Sequence, residues 1–355
     1  MCAMMSTAHV VDAAPPAGRF DNRIPLRMES VTIDRADDIY TAGGSNDAGA
    51  DLVKWDLEGK HLFDGWLKIR YERFEGAAYS VVVDEEYVYC AVRGRNAEPW
   101  NNRQQIWRFG IKDGKFAPFT GKSEKFLMNR PQLAEKARRA AEEPGELLVD
   151  GTIQVYEWPG LQIPAKTPPA DAELMKAPLR GLDVAGSTLY VADALGGKVR
   201  MYDSTTGAPK GEFDVHLPHA VAVDPTGQIW VAHNHDTVTA FRADGYSGVT
   251  YGGMGEITSL AFGPGGKLYA TDSATGQVLT LDTAGSPVKF VPVLGSKAKT
   301  GDTAPDRFFK LMSVAADGKG NLVTIDAGAA AGGARMAKWS LEKKLLWERS
   351  SSTGR

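Results

Sequence analysis

The stretch PHAVAVDPTGQIWVAHNHDTVTAF, residues 218–241, decides the fold. Two short apolar runs flank DPTG, whose Asp and Gly tolerate the backbone angles of a tight hairpin. A polar loop and a third apolar run follow. The same unit returns on both sides, as LRGLDVAGSTLYVADALGGKVRMYD from Leu179 and ITSLAFGPGGKLYATDSATGQVLTLD from Ile257. Their equivalent residues Leu182, Val221 and Leu260 recur every 39 positions, a period that suits four-stranded propeller blades.

Three looser copies begin at Met28, Ala78 and Leu311, which makes six. One blade cannot bury both faces of its own sheet, but six around an axis can. Runs such as SVVVD and IWVA suit strands covered on both faces. The expectation is an all-β, six-bladed propeller of four-stranded antiparallel blades. Residues 1–26 are expected to be a leader and 27–355 a single propeller domain. An insertion after blade two, Gly121 to Pro178, breaks the period. Within it PQLAEKARRAAEE (131–143) reads as a helix, ELLVDGTIQVYEW (146–158) as a hairpin, and the remainder as a proline-rich return. Such an insertion lies on one face and is a candidate lid over the channel.

Composition narrows the function. The chain has 355 residues, 43% hydrophobic and 24% charged, with a formal net charge of −3. That balance gives no support to nucleic-acid or anionic-membrane binding. No apolar run approaches the length that spans a bilayer. Two cysteines are too few for a cysteine-based zinc site. The leader MCAMMSTAHVVDAAPPAG lacks an intact signal peptide; as the tail of one it implies an extracytoplasmic protein, and otherwise a cytoplasmic one. A monomer is the expectation.

Four of the six histidines fall between His216 and His235. The start of a blade's first strand and the end of its second share one face, so His219, His233 and His235 should meet there, with His216 in the entry loop. Imidazole binds zinc and moves protons near neutral pH. The three are candidate ligands of a divalent metal, zinc or calcium. Positions equivalent to His219 are Glu29, Tyr79, Arg180, Thr258 and Met312, the rim of the channel. His219, Glu29 and Arg180 are candidate catalytic residues, because Arg can hold an anion while His or Glu moves a proton. Tyr79, Arg93, Arg95 and Trp100 are candidate rim contacts. Asp193, Asp272 and Asp326, equivalent to His233, read instead as residues that tie down loops.

AVAVDPTGQIWVAHNHDTVTAF and LYVADALGGKVRMYD resemble the NHL repeat: an apolar strand, D-x-x-G, an apolar strand ending in Ala/Thr-Asp, a polar loop and V-x-x-F. The pattern is similar to that of SMP-30/gluconolactonase-like proteins, streptogramin lyases and peptidyl-amidoglycolate lyases. It is close over residues 179–295 and loose over 28–120 and 311–350. The resemblance implies a six-bladed propeller that hosts enzymes and binding modules alike. The lyases pair a rim His with a Glu, which His219 and Glu29 match. The gluconolactonase-like Glu, Asn and Asp set is matched only by Glu29 and Asn234. The amidoglycolate lyases gather histidines from several blades, whereas one blade supplies them here. Two functions follow: a binding module presenting its top face to a protein, peptide or glycan, or a metal-dependent lyase or lactonase acting on a small polar substrate at the channel mouth.

Overall fold

The structure, a computed structural model, describes residues 28–45, 49–62, 68–69, 76–94, 104–114, 117–120, 152–156, 163, 166–282, 288–300, 302, 304–329 and 333–350. Six four-stranded antiparallel sheets form a ring, each drawn from one sequence unit. Blade one holds β1 (Met28–Ile33), β2 (Ile39–Ser45), β3 (Gly49–Trp55) and β4 (Lys68–Ile69); blade two holds β5 (Gly76–Val83), β6 (Tyr87–Gly94), β7 (Gln104–Gly110) and β8 (Ile153–Tyr156). Blade three comprises β9 (Gly181–Ala185), β10 (Thr188–Asp193), β11 (Lys198–Asp203) and β12 (Pro209–Asp214). Blade four comprises β13 (Pro218–Val223), β14 (Ile229–His233), β15 (Thr237–Phe241) and β16 (Ser247–Tyr251). Blade five comprises β17 (Ile257–Gly263), β18 (Lys267–Asp272), β19 (Gln277–Asp282) and β20 (Lys289–Leu294). A short parallel pair, β21 (Ser296–Lys297) and β22 (Arg307–Phe308), leads to blade six: β23 (Leu311–Ala316), β24 (Leu322–Ala329), β25 (Gly333–Trp339) and β26 (Leu345–Ser350).

The long excursion sits inside blade two rather than after it. Ile153–Tyr156 pairs with β7 as that blade's outer strand, so the expected hairpin contributes one of its arms to the blade. The helix read at 131–143 and the hairpin's other arm lie outside the described residues. The stretch read as a proline-rich return carries helix α1 (Pro169–Lys176). Pro169 opens its first turn, where a missing N–H costs nothing, and Asp171 lies there too, at the positive end of the helix dipole.

The core is divided as a propeller requires. Six buried apolar clusters each span two neighbouring blades, and one of them joins blade six to blade one. Leu182, Val221 and Leu260, the 39-residue markers, each sit in such a cluster. The seam between blades six and one is noncovalent: Met28, Val31 and Trp55 pack on Met312, Ile325 and Met336. Val31 N–H donates to Ser313 Oγ at 3.1 Å, and Trp347 Nε1–H to Leu57 O at 2.9 Å. Trp107, Trp230 and Trp339 are buried, while Trp100 lies outside the described residues.

Aspartates close the turns opposite the histidine face. Asp34, Asp84, Asp224 and Asp317 each accept two amide N–H groups of their own turn. Arg108 of β7 stitches blade two to blade three. Its guanidinium donates to the carbonyls of Ala117, Pro118, Ser204 and Thr205 and lies 4.1 Å from the Tyr87 ring centroid and 4.6 Å from that of Phe119. Lys carries the charge but not the planar fork. Arg108→Lys should therefore lower stability by about 2 kcal/mol in thermal denaturation; an unchanged melting temperature would remove Arg108 from this role.

Candidate functional site

The inner strands of the six blades wall a central cavity of about 250 Å³. In five blades the pairing of the first and second strands skips one residue at the same place: Glu29, Tyr79, His219, Thr258 and Met312. Each is a β-bulge, which re-aims a side chain out of the alternating pattern. In blade three the equivalent Arg180 lies just before β9. The rim positions expected from the repeat are thus one structural level. Glu29, Tyr79, Arg180, Thr258 and Met312 line the cavity. His219 lies behind that wall, only 2% exposed.

Gly181 and Ala220 bring Arg180 and His219 side by side. A Cβ at Gly181 would stand 2.7 Å from Ala220 Cα and 2.9 Å from Val221 N, so only glycine allows this approach. Arg180 lies 6.0 Å from the Tyr79 ring centroid, and its Nε is buried without a hydrogen-bond partner. Among the described residues no carboxylate pairs with it.

The histidines divide into two groups. His219 donates Nδ1–H to Leu217 O at 3.0 Å and leaves Nε2 buried and unpartnered. His235 donates Nε2–H to Asp171 Oδ1 of α1 at 2.9 Å. The two rings lie 6.2 Å apart. His233 turns the other way: its Nε2 meets Thr239 Oγ1 at 2.9 Å and its ring packs on Phe241, while its Nδ1 is buried without a partner. His216 is exposed in the entry loop. The expectation of three histidines around one ion meets this split. Among the described residues no group of three or more His, Cys, Asp or Glu is placed to hold a metal, and imidazole does not suit oxygen-seeking calcium.

Backbone strain marks the same place. Of the five non-glycine residues with positive φ among the described residues, Leu217, Asn234 and His235 flank the two rings. The loop from His233 to Thr237 is one residue shorter than its counterparts from Asp193 to Lys198 and from Asp272 to Gln277, and it has no glycine like their Gly197 and Gly276. Asn234 and His235 therefore take the left-handed conformation, which Asn tolerates and which costs His235 about 1–2 kcal/mol. Strain of this kind gathers at functional sites.

Asp193, Asp272 and Asp326 are structural ties. Asp272 accepts from the amides of Gly255, Glu256, Ala274 and Thr275, and Asp326 from those of Phe309 and Lys310. Asp193 is held by Tyr156, Gly196 N and Arg200. Arg93 lies in β6; Arg95 and Trp100 lie outside the described residues.

Two residues escaped the sequence reading. Asp171 sits in the stretch read as a return, and nothing local ties it to His235. Asp183 faces the cavity on β9, where the other blades carry Thr32, Val82, Ala222, Ala261 and Ala315. That lone charge in the column was the available signal. Burial pushes its carboxyl up to about 7, against the opposing pull of the Val223 and Val184 amides.

No family model matches the chain, and neither does any curated protein. Solved structures share its fold. A streptogramin B lyase is 9% identical over 94% of this chain and 86% of its own, with a TM-score of 0.50. The nidogen/laminin complex holds a chain 14% identical over 87% of this chain and 92% of its own, with a TM-score of 0.52. Virginiamycin B lyase from Staphylococcus aureus is 10% identical over 91% and 84%, with a TM-score of 0.49. At these identities the likeness concerns the fold alone.

Burial lowers the His219 pKa to about 4; the Leu217 carbonyl opposes this and the His235 ring adds to it. A depressed pKa means that the folded state disfavours the proton, so this stability is present above pH 6.5 and lost as pH falls towards 4. Over that window the loss should reach roughly 3 kcal/mol. His219→Gln should flatten the acid limb of a denaturation series; an unchanged slope would mean that His219 is not buried neutral.

Proposed function

We propose that the protein is a binding propeller, NHL-like in its repeats, whose histidine-bearing face takes a protein, peptide or glycan through an anionic group. The observation that carries this reading is Arg180. It is a guanidinium at the channel mouth with a buried, unpartnered Nε and no carboxylate beside it among the described residues. Arg is the side chain best shaped to grip a carboxylate or phosphate with two parallel hydrogen bonds. Tyr79 flanks it, as aromatic residues do in recognition sites. The nidogen/laminin complex supports the reading as a case of this fold in a protein assembly. Among the described residues no helix is long and apolar enough to cross a membrane.

A second reading rests on the Asp171–His235 pair. Asp171 holds Nε2–H, which leaves Nδ1 of His235 as an acceptor that can take a proton, while Arg180 holds the anionic end of a small polar substrate. The activity in this reading is that of a lyase or lactone hydrolase, with Glu29 as a further acid–base group on the rim. The streptogramin B lyase shows only that the fold accommodates such work.

Peptide and glycan arrays carrying matched acidic and neutral ligands separate the two readings when run beside a panel of lactones and amidoglycolates. Binding confined to acidic ligands, and weakened at least about tenfold in Arg180→Ala, supports the binding module. Equal capture of neutral ligands, or capture indifferent to Arg180→Ala, refutes it. Turnover of a panel compound that is lost in His235→Ala favours the second reading.

A further inference from the structure

The two rings beside the channel mouth share a feature that neither reading above uses. Each fixes one nitrogen on an acceptor and leaves the other bare. A carbonyl only accepts, so Leu217 O places the proton of neutral His219 on Nδ1 and leaves a lone pair on Nε2. That Nε2 is buried without a partner. Asp171 places the proton of neutral His235 on Nε2 and leaves Nδ1 bare. Histidines that bind metals donate their other N–H to a carbonyl or a carboxylate in this manner, which fixes the ring and raises its basicity.

The spacing selects the geometry. With bonds of about 2 Å, two imidazoles on one ion hold their centroids roughly 5 Å apart at tetrahedral angles and just over about 6 Å apart when nearly opposite. The observed separation is 6.2 Å, with ring planes 31° apart. We propose that His219 and His235 form a two-histidine site for a transition-metal ion of the copper type, held between nearly opposed rings. Neutral imidazole suits zinc and copper and not calcium or magnesium. The strained backbone at Leu217 and His235 fits this arrangement, because Leu217 supplies the carbonyl that sets the His219 tautomer and His235 supplies the second ring. His233 also keeps a bare nitrogen, its buried Nδ1, but its Nε2 is turned to Thr239 and its ring to Phe241, and among the described residues the ring contact between histidines joins His219 to His235. The inference is independent of what Arg180 binds.

The test titrates zinc chloride and copper(II) sulfate into the tag-free, chelator-stripped full chain at neutral pH, by calorimetry and, for copper, by electron paramagnetic resonance. One equivalent of copper should bind, more tightly than zinc, with hyperfine structure from two imidazole nitrogens. His219→Gln and His235→Gln should each abolish that equivalent, and His233→Gln should keep it. Asp171→Asn, a partly exposed change that leaves both ligands in place, should weaken binding about 10–100-fold. This last variant keeps the test decisive if His219→Gln does not fold. Absence of binding, binding that survives His235→Gln, equal loss in His233→Gln, or undiminished affinity in Asp171→Asn would each overturn the proposal.

Discussion

The inner strands of neighbouring blades come so close that only small side chains fit between them, and the placement of every rim residue depends on that approach. The column that faces the crowding runs Ser30, Ser80, Gly181, Ala220, Ser259 and Ser313 around the ring. Where it is serine, hydroxyls link one blade to the next: Ser30 Oγ accepts from Val81 N–H, and Ser313 Oγ from Val31 N–H. Where it is glycine, a backbone contact replaces the side chain. The residue just before each small one is bulged or precedes its strand, and it becomes the rim. The site at blades three and four is therefore a by-product of how the ring is made tight.

The chemistry appears where the repeat departs from its own pattern. Blades three and five end their second strand on an aspartate, and blade six carries one at Asp326 within β24; each anchors nearby loop backbone or side chains. Blade four ends it on His233, with a shorter loop and no glycine. Without the aspartate the loop takes left-handed residues, and His235 is lifted towards α1. A local rule broken at a cost in strain, beside three buried nitrogens without partners (Arg180 Nε, His219 Nε2 and His233 Nδ1), is a sign of function rather than of packing. The other departure is Asp183, a carboxylate in an otherwise small or apolar column, which carries both a cross-blade hydrogen bond and a raised pKa.

Most of the architecture was legible because it is periodic. The 39-residue spacing of Leu182, Val221 and Leu260 reports a position in the blade interface, and burial between blades demands the same residue type each time. The shared level of Glu29, Tyr79, Arg180 and His219 was legible for the same reason. What was not legible is non-periodic or long-range. Bulges carry no composition signal of their own. The outer strand of blade two is separated from β7 by more than forty residues, so its membership could not be read locally. Asp171 meets His235 across 64 positions. The split of the histidines into His219 with His235 on one side and His233 on the other depends on which neighbour each ring finds, and Thr239 and Phe241 decide that for His233 only in the folded sheet.

The site turns on one bare nitrogen, His219 Nε2, and the proton on its partner Nδ1. Long-range proton–nitrogen correlation NMR on the ¹⁵N-histidine-labelled, metal-free protein at neutral pH reads both directly. His219 should be a neutral ring with a protonated, pyrrole-like Nδ1 and an unprotonated, pyridine-like Nε2. A ring protonated on Nε2, or on both nitrogens, would contradict this assignment.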